Sequence, residues 1–339
     1  MKRIISPVLA IGVVLMTLTA CTGNTAESTK QTLTTKQDFS NEEYIFVGNM
    51  GNLEYFNAVK YGWSWAGDVL GVKATYVGPA ENDVNAQVAA FEQAIAKQPA
   101  GIAVFASDPV LTPVINKAIA AGIPVVTAIG DQPDSKRISY VGSNQYDIGY
   151  MGGMKLGEAL GGKGQVAILS LPGIAMFDER VQGFRAAFAT FPGIKVVQEG
   201  DTKADTVTAV NVAKDIMQRY PDLAAFACTD STGGMGAGTA VKEAGVTGHI
   251  RVISMDRNSD VLSMIQDGTI TGTIAQEDVG NSYWALQALF TYVHHQSPLT
   301  TDNKAAGVTT GPSIIQTHVN YIDKSNVQYF IDANARFAK

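Results

Sequence analysis

Two strand-like stretches of this chain end in side chains able to hold hydroxyl groups. Ile253-Ser254-Met255-Asp256 closes on a carboxylate, and Thr271-Gly272-Thr273-Ile274-Ala275-Gln276 closes on an amide. Between them, residues 259–267 carry apolar positions at helical spacing and predict a short crossover helix. In a parallel α/β sheet, ligands sit beyond the carboxyl ends of the strands. Asp256 and Gln276 are therefore expected to face one cleft. Carboxylate and amide groups both engage paired hydroxyls. A buried polar group without a partner costs roughly 1–3 kcal/mol, so such a cleft favours a small polar molecule that brings the right donors and acceptors.

Other spacings suggest competing chemistries, and each falls short. Gly233-Gly234-Met235-Gly236-Ala237-Gly238 follows a strand and opens a helix, as phosphate loops do. It lacks the G-x-G-x-x-G spacing and has no Gly-Lys-Ser/Thr after it. Its glycines are read instead as letting a turn and helix approach the sheet. Asp256-Arg257-Asn258-Ser259-Asp260 begins like a calcium loop, but Val261 stands where the turn needs Gly, and Asp267 replaces the closing Glu. A helix N-cap accounts for it better. His294-His295 ends a helix, where cations are favoured, and His249 and His318 lie at no metal-binding spacing from it. Cys228 sits in the apolar run Leu223-Ala224-Ala225-Phe226-Ala227-Cys228 and reads as a buried, inert thiol. No Ser-His-Asp or Cys-His arrangement stands out. No catalytic residue, cofactor or metal is expected.

The front of the chain sets the compartment. Lys2 and Arg3 precede the apolar run 4–18, and the small residues Thr19 and Ala20 lead to Cys21. This is a signal-peptide pattern. The ending Leu18-Thr19-Ala20-Cys21 resembles the lipobox of bacterial lipoproteins, which makes Cys21 the expected lipidation site. The alternatives are an ordinary leader, or an uncleaved anchor, with an incidental Cys. The polar stretch from Thr22 to Ser40 cannot bury enough apolar surface to fold and reads as a tether. Of the 339 residues, about 300 remain, a length prior for two domains. The formal charge of −6 becomes −8 once Lys2 and Arg3, the only charges of the leader, are removed. An acidic chain without a basic cluster argues against nucleic acid as a partner.

The rest of the chain alternates apolar strand runs with helical stripes. Strands are expected at 44–49, 72–77, 102–106, 123–129 and 138–141, with helices at 55–70, 84–95 and 114–121. After Asp147 the rhythm resumes. Helices are expected at 148–160, 179–191, 206–219 and 236–244, and strands at 165–169, 194–198, 223–228 and 250–255. Continuous apolar strands imply parallel sheets covered on both faces. There are too many units for one sheet, so two Rossmann-like lobes joined by a hinge are expected. Gly142-Ser143-Asn144 is a plausible crossing. Trp63 continues the Phe56–Val59 stripe and reads as core.

From about Tyr44 to Phe330 the chain resembles the ribose-binding-like, type I periplasmic sugar-binding proteins of ABC transporters. The resemblance rests on ordered segments. These are Gly51-Asn52-Leu53-Glu54-Tyr55-Phe56, Ala121-Gly122-Ile123-Pro124-Val125-Val126-Thr127, Glu179-Arg180-Val181-Gln182-Gly183-Phe184 and Asp267-Gly268-Thr269-Ile270, the last leading into Thr273-Ile274-Ala275-Gln276. It implies an N-terminal lobe from 41–143 and 277–310 and a C-terminal lobe from 144–276 and 311–339, after a signal peptide (1–20) and a lipidated tether (21–40). The third crossing is expected near Val308–Gly311. It also implies stacking positions at Tyr55 and Phe56 and polar contacts from Arg180, Asp256 and Gln276. Thr229, with Asp230 beside it, matches a position often held by Asn. Asn52 is a weaker candidate.

The match departs from ribose binders at two places. Where those carry an Asp and a basic residue, this chain reads Ile129-Gly130, with Asp131 next; some relatives place a ligand carboxylate there. Ala204 stands where ribose binders have an aromatic residue. The ligand implied is a sugar, polyol or furanose-like molecule rather than ribose itself. The expected function is an extracytoplasmic, membrane-anchored lipoprotein, monomeric, that delivers its ligand to an ABC permease. A sensor kinase or chemoreceptor is the alternative partner. An enzyme on a similar fold is a third reading. A repressor core is opposed by the export signal.

Overall fold

Apolar runs buried on both faces become the strands of two sheets. The computed structural model describes residues 38–337; the leader, Cys21 and most of the tether lie outside that range. The first lobe holds β1 (Glu43–Val47), α1 (Tyr55–Leu70), β2 (Lys73–Val77), α2 (Val84–Ala96), β3 (Gly101–Val104), α3 (Leu111–Ala120), β4 (Val125–Ala128) and β5 (Ser139–Gly142). The second holds α4 (Gln145–Ala159), β6 (Lys163–Ser170), α5 (Ala175–Ala189), β7 (Gly193–Asp201), α6 (Thr206–Arg219), β8 (Leu223–Cys228), α7 (Ser231–Glu243), β9 (Arg251–Met255), α8 (Ser259–Gln266) and β10 (Gly272–Gln276). Then α9 (Asp278–His294) returns to pack on α1, β11 (Ile314–Gln316) joins the first sheet, and β12 (Val319–Asp323) with α10 (Val327–Phe337) joins the second lobe.

The first sheet has the order β11-β5-β4-β3-β1-β2 and is parallel throughout. The second has the order β12-β10-β9-β8-β6-β7, parallel except where β12 runs antiparallel to β10. Every residue of β3 and β4 is buried, as strands covered on both faces require. Trp63 is 1% exposed in the first-lobe core, edge-on to Phe46, and its indole N–H donates to the Thr75 carbonyl at 3.1 Å. Burial, reinforced by Asp230, holds the Cys228 thiol well above its ordinary value.

The chain passes between the sheets three times. The first passage follows β5 at Ser143-Asn144 and the second is Glu277, between β10 and α9. The third lies at Thr317-His318 and not at Val308–Gly311, because β11 is still paired with β5 of the first sheet. Gly311-Pro312 marks a loop entering β11, and a three-residue strand offers no periodicity to reveal it. A buried chain of side chains ties the passages together. The Thr317 hydroxyl donates to Asn281 Oδ1 at 2.6 Å and meets the Ser143 hydroxyl at 3.1 Å.

Candidate ligand site between the lobes

The site begins at the end of β9. Asp256 has φ +66°, the left-handed region, which costs a non-glycine residue of order 1–3 kcal/mol although Asp tolerates it better than most. Two hydrogen bonds hold it there. Its N–H donates to the Ile274 carbonyl at 2.9 Å, and its carbonyl accepts from the Thr273 hydroxyl at 2.7 Å. Strand β10 thus sets the backbone of the residue that follows its neighbour β9. Burial pushes the Asp256 carboxyl up; the Arg180 guanidinium opposes this and Asp230 reinforces it.

Arg180 is delivered by a close helix pair. A side chain on Gly149 of α4 would strike the Arg180 backbone, and one on Gly183 of α5 would strike Tyr146, so the two helices meet backbone to backbone. Arg180 is 2% exposed. Its Nε donates to Gln145 Oε1 at 2.9 Å, its Nη1 donates to the Thr229 carbonyl at 2.7 Å, and the guanidinium lies over the Phe177 ring. Thr229 therefore holds Arg180 through its backbone, while its hydroxyl donates to Ser170 Oγ at 3.1 Å. Asp230 caps α7 by accepting from the Gly233 N–H at 3.0 Å; burial raises its carboxyl. The glycines after it do bring helix and sheet together, since a side chain on Gly234 would overlap Ser254.

The first lobe faces these groups with Tyr55, at the start of α1, and Asp278, at the start of α9. The Tyr55 hydroxyl lies beside the Asp278 carboxylate, near enough for each to perturb the other, yet neither it nor Asp278 Oδ1 completes a hydrogen bond. Burial, then the charges of Asp278 and Asp256, hold the phenol well above its ordinary value. Gln276 is 5% exposed with Oε1 unpartnered, and Asn258 Oδ1 is unpartnered as well. Tyr55, Arg257, Asn258 and Asp278 line one small cavity. An unpartnered buried polar atom costs about 1–3 kcal/mol. Several gathered where strands end and helices begin suit a ligand rich in hydroxyls.

Three expected residues stand elsewhere. Phe56 is 2% exposed, edge-on to both Tyr55 and Phe105 in the first-lobe core, where it supports Tyr55. Asn52 is exposed, its amide donating to Glu81 at 3.0 Å. Asp131 is committed within its own lobe. Arg137 donates to both its oxygens, from Nε at 2.5 Å and Nη2 at 2.6 Å, and Thr127 Oγ1 and the Gln132 N–H also donate to it. Arg137, six residues on, was the signal in the sequence.

Sequence reasoning passed over Asp278, Gln145, Arg257 and Glu54. Asp278 lay two residues past Gln276, hidden by its position at a crossing. Arg257 donates to Asn334 Oδ1 from Nε at 3.0 Å and Nη2 at 2.8 Å, anchoring α10. Glu54, just before α1, bridges the lobes: Ser259 of α8 donates to it from its N–H at 2.9 Å and from its hydroxyl. These two residues are 205 apart in the chain and have no local signature.

Comparison with known proteins bears on the family and the fold. Residues 44–297 match the periplasmic binding protein domain family. The structure is similar to a sugar-binding protein of a sugar ABC transporter from Bacillus halodurans, at 35% identity and a TM-score of 0.81, covering 86% of this chain and 100% of that one. It is also similar to AraP, an arabinose-binding protein from Geobacillus stearothermophilus, at 32% identity and 0.79, covering 85% and 99%. The sequence is 28% identical over 256 residues to the D-allose-binding periplasmic protein of Escherichia coli (strain K12), covering 71% of this chain and 82% of that protein.

Proposed function

The chain belongs to the periplasmic binding protein domain family, and from that membership we propose that it captures a sugar outside the cytoplasm and presents it to an ABC importer. The observation that carries the reading is Asp256, strained just after β9 on the strand next to the one that ends in Gln276, whose Oε1 is unpartnered, and close enough to act on Tyr55 of the other lobe. Asp256 and Gln276 hold ligand hydroxyls, Arg180 supplies the balancing charge, and Tyr55 offers a ring face and a hydroxyl. Phe56, Thr229 and Asp230 keep these groups in place. The ligand bridges the lobes, so binding shifts the population toward the closed form. The permease reads that form. Relatives named for arabinose and allose make aldopentoses and aldohexoses the first ligands to try. Cys21 is the acylated anchor of a lipoprotein, with the residues after it as tether.

A thermal-shift screen and calorimetry on a soluble form starting at Thr22 test the reading, against pentoses, hexoses, deoxy sugars and polyols. A ligand at about 100 times its dissociation constant adds roughly 2.7 kcal/mol, which moves the melting temperature by several degrees. A selective shift is expected. Failure of every sugar and polyol to shift it overturns the proposal. For the anchor, Cys21→Ser is expected to move the protein from the membrane to the soluble fraction; a variant still membrane-bound refutes acylation.

A further inference from the structure

Asp278 is unlike an ordinary acidic residue at a helix start. A carboxylate that only complements a helix terminus does so at the surface, where water shares the charge. Asp278 is 3% exposed, and its Oδ1 has no partner. It opens α9, which packs on α1, so it belongs to the first lobe although only Glu277 separates it from β10. Asp256 belongs to the second lobe. Each lobe therefore brings one carboxylate toward the cleft, Asp278 buried and Asp256 half-buried, near enough that the charge of Asp256 acts on Asp278. The neighbouring unpartnered atoms are the Tyr55 hydroxyl, Gln276 Oε1 and Asn258 Oδ1.

We infer that Asp278 is a second ligand-holding carboxyl group, set against Asp256 from the opposite lobe, and that with the Tyr55 hydroxyl it decides which hydroxyl pattern the cleft accepts. This rests on the sugar-binding reading above and adds to it a specificity-determining pair. The titratable and charged groups acting on Asp278 are Tyr55 from α1, Asp256 and Arg257 after β9, and Arg180 from α5, and Glu54 lines the same cavity. Burial, reinforced by Asp256 and opposed by Tyr55, Arg257 and Arg180, pushes the Asp278 carboxyl up to about 8. At neutral pH it is a carboxylic acid, which donates one hydrogen bond and accepts another. A sugar hydroxyl does the same, so the two match without any net charge being buried. Once Asp278 ionises, closing the lobes sets two carboxylates against each other, and closure becomes harder.

The test uses calorimetry on the soluble form with the best sugar found for wild type and its single-deoxy analogues, at pH 7 and pH 9. Asp278→Ala removes the carboxyl group and Tyr55→Phe removes one hydroxyl only, while Asp278→Asn keeps a donor and an acceptor but cannot ionise. For at least one position of the sugar, Asp278→Ala and Tyr55→Phe are expected to lose about tenfold or more of the preference for hydroxyl over deoxy, as a site built to bond a hydroxyl does when its partner is removed. Wild-type affinity is expected to fall from pH 7 to pH 9, and Asp278→Asn to lose that fall. Variants that keep wild-type preference at every position, with an unchanged pH profile, overturn the assignment while leaving sugar binding intact. A wild-type protein that binds no sugar overturns the sugar reading and this assignment with it.

Discussion

Glu54 supplies from one lobe what a helix of the other lacks. Helix α8 begins at Ser259, and the residue before it, Asn258, makes no side-chain capping bond. The Glu54 carboxylate fills that role across the cleft by accepting from the Ser259 N–H and hydroxyl. Loss of a helix cap costs about 0.5–2 kcal/mol. The contact is solvent-exposed, which places it toward the low end, at about 1 kcal/mol. Since the bond exists only with the lobes together, its loss falls on closure. At about 1.4 kcal/mol per tenfold, Glu54→Ala is expected to weaken sugar binding roughly fivefold and leave the melting temperature of the ligand-free protein unchanged. Ser259→Ala removes only the hydroxyl bond and is expected to cost less. In the double mutant the two losses should not add, because both variants break one contact. Calorimetry on the four proteins measures this, and higher salt should shrink the effect of Glu54. Wild-type affinity in Glu54→Ala refutes the reasoning. So does an equal loss of stability without sugar, since it places the contact within the resting fold.

Asp256→Asn keeps a side chain that tolerates positive φ. Its melting temperature is expected to hold while sugar affinity falls at least tenfold; retained affinity refutes the site. Arg180→Met leaves Gln145 Oε1 and the Thr229 carbonyl without their buried donor and is expected to destabilise the protein by about 2–4 kcal/mol in urea unfolding. Asp278 has a folded value of about 8 against an ordinary 3.8. The folded state holds its proton longer than the unfolded chain, so the stability it lends is complete below about 3.8 and is lost as pH rises through about 8. Melting temperature against pH should show this decline in the ligand-free protein, and Asp278→Asn should flatten it; identical profiles contradict the assignment.

Much of this architecture is written locally. The β3 and β4 runs are buried throughout and almost wholly apolar, as strands covered on both faces must be. The placement of Asp256 and Gln276 is legible for the same reason: a polar residue closing a buried run stands at the carboxyl end of its strand. Trp63 reads as core from its helical spacing alone. What escaped was of two kinds. Short elements such as β11 have too few residues for a period to appear, and the third passage was therefore placed several residues early. Residues whose surroundings lie far along the chain carry no local signature of them. Asp131 resembles a ligand carboxylate until Arg137 takes both its oxygens, and Phe56 resembles a stacking ring until the first lobe closes over it.

Strand, helix and lobe count follow from hydrophobic spacing, because burial of apolar side chains is a local demand repeated at each turn or pleat. The pairing of Asp278 with Tyr55, the opposition of Asp278 to Asp256, and the reach of Glu54 to Ser259 arise only when three chain passages bring two lobes face to face. Electrostatics and hydrogen bonding depend on distance in space, and separation along the chain does not encode it.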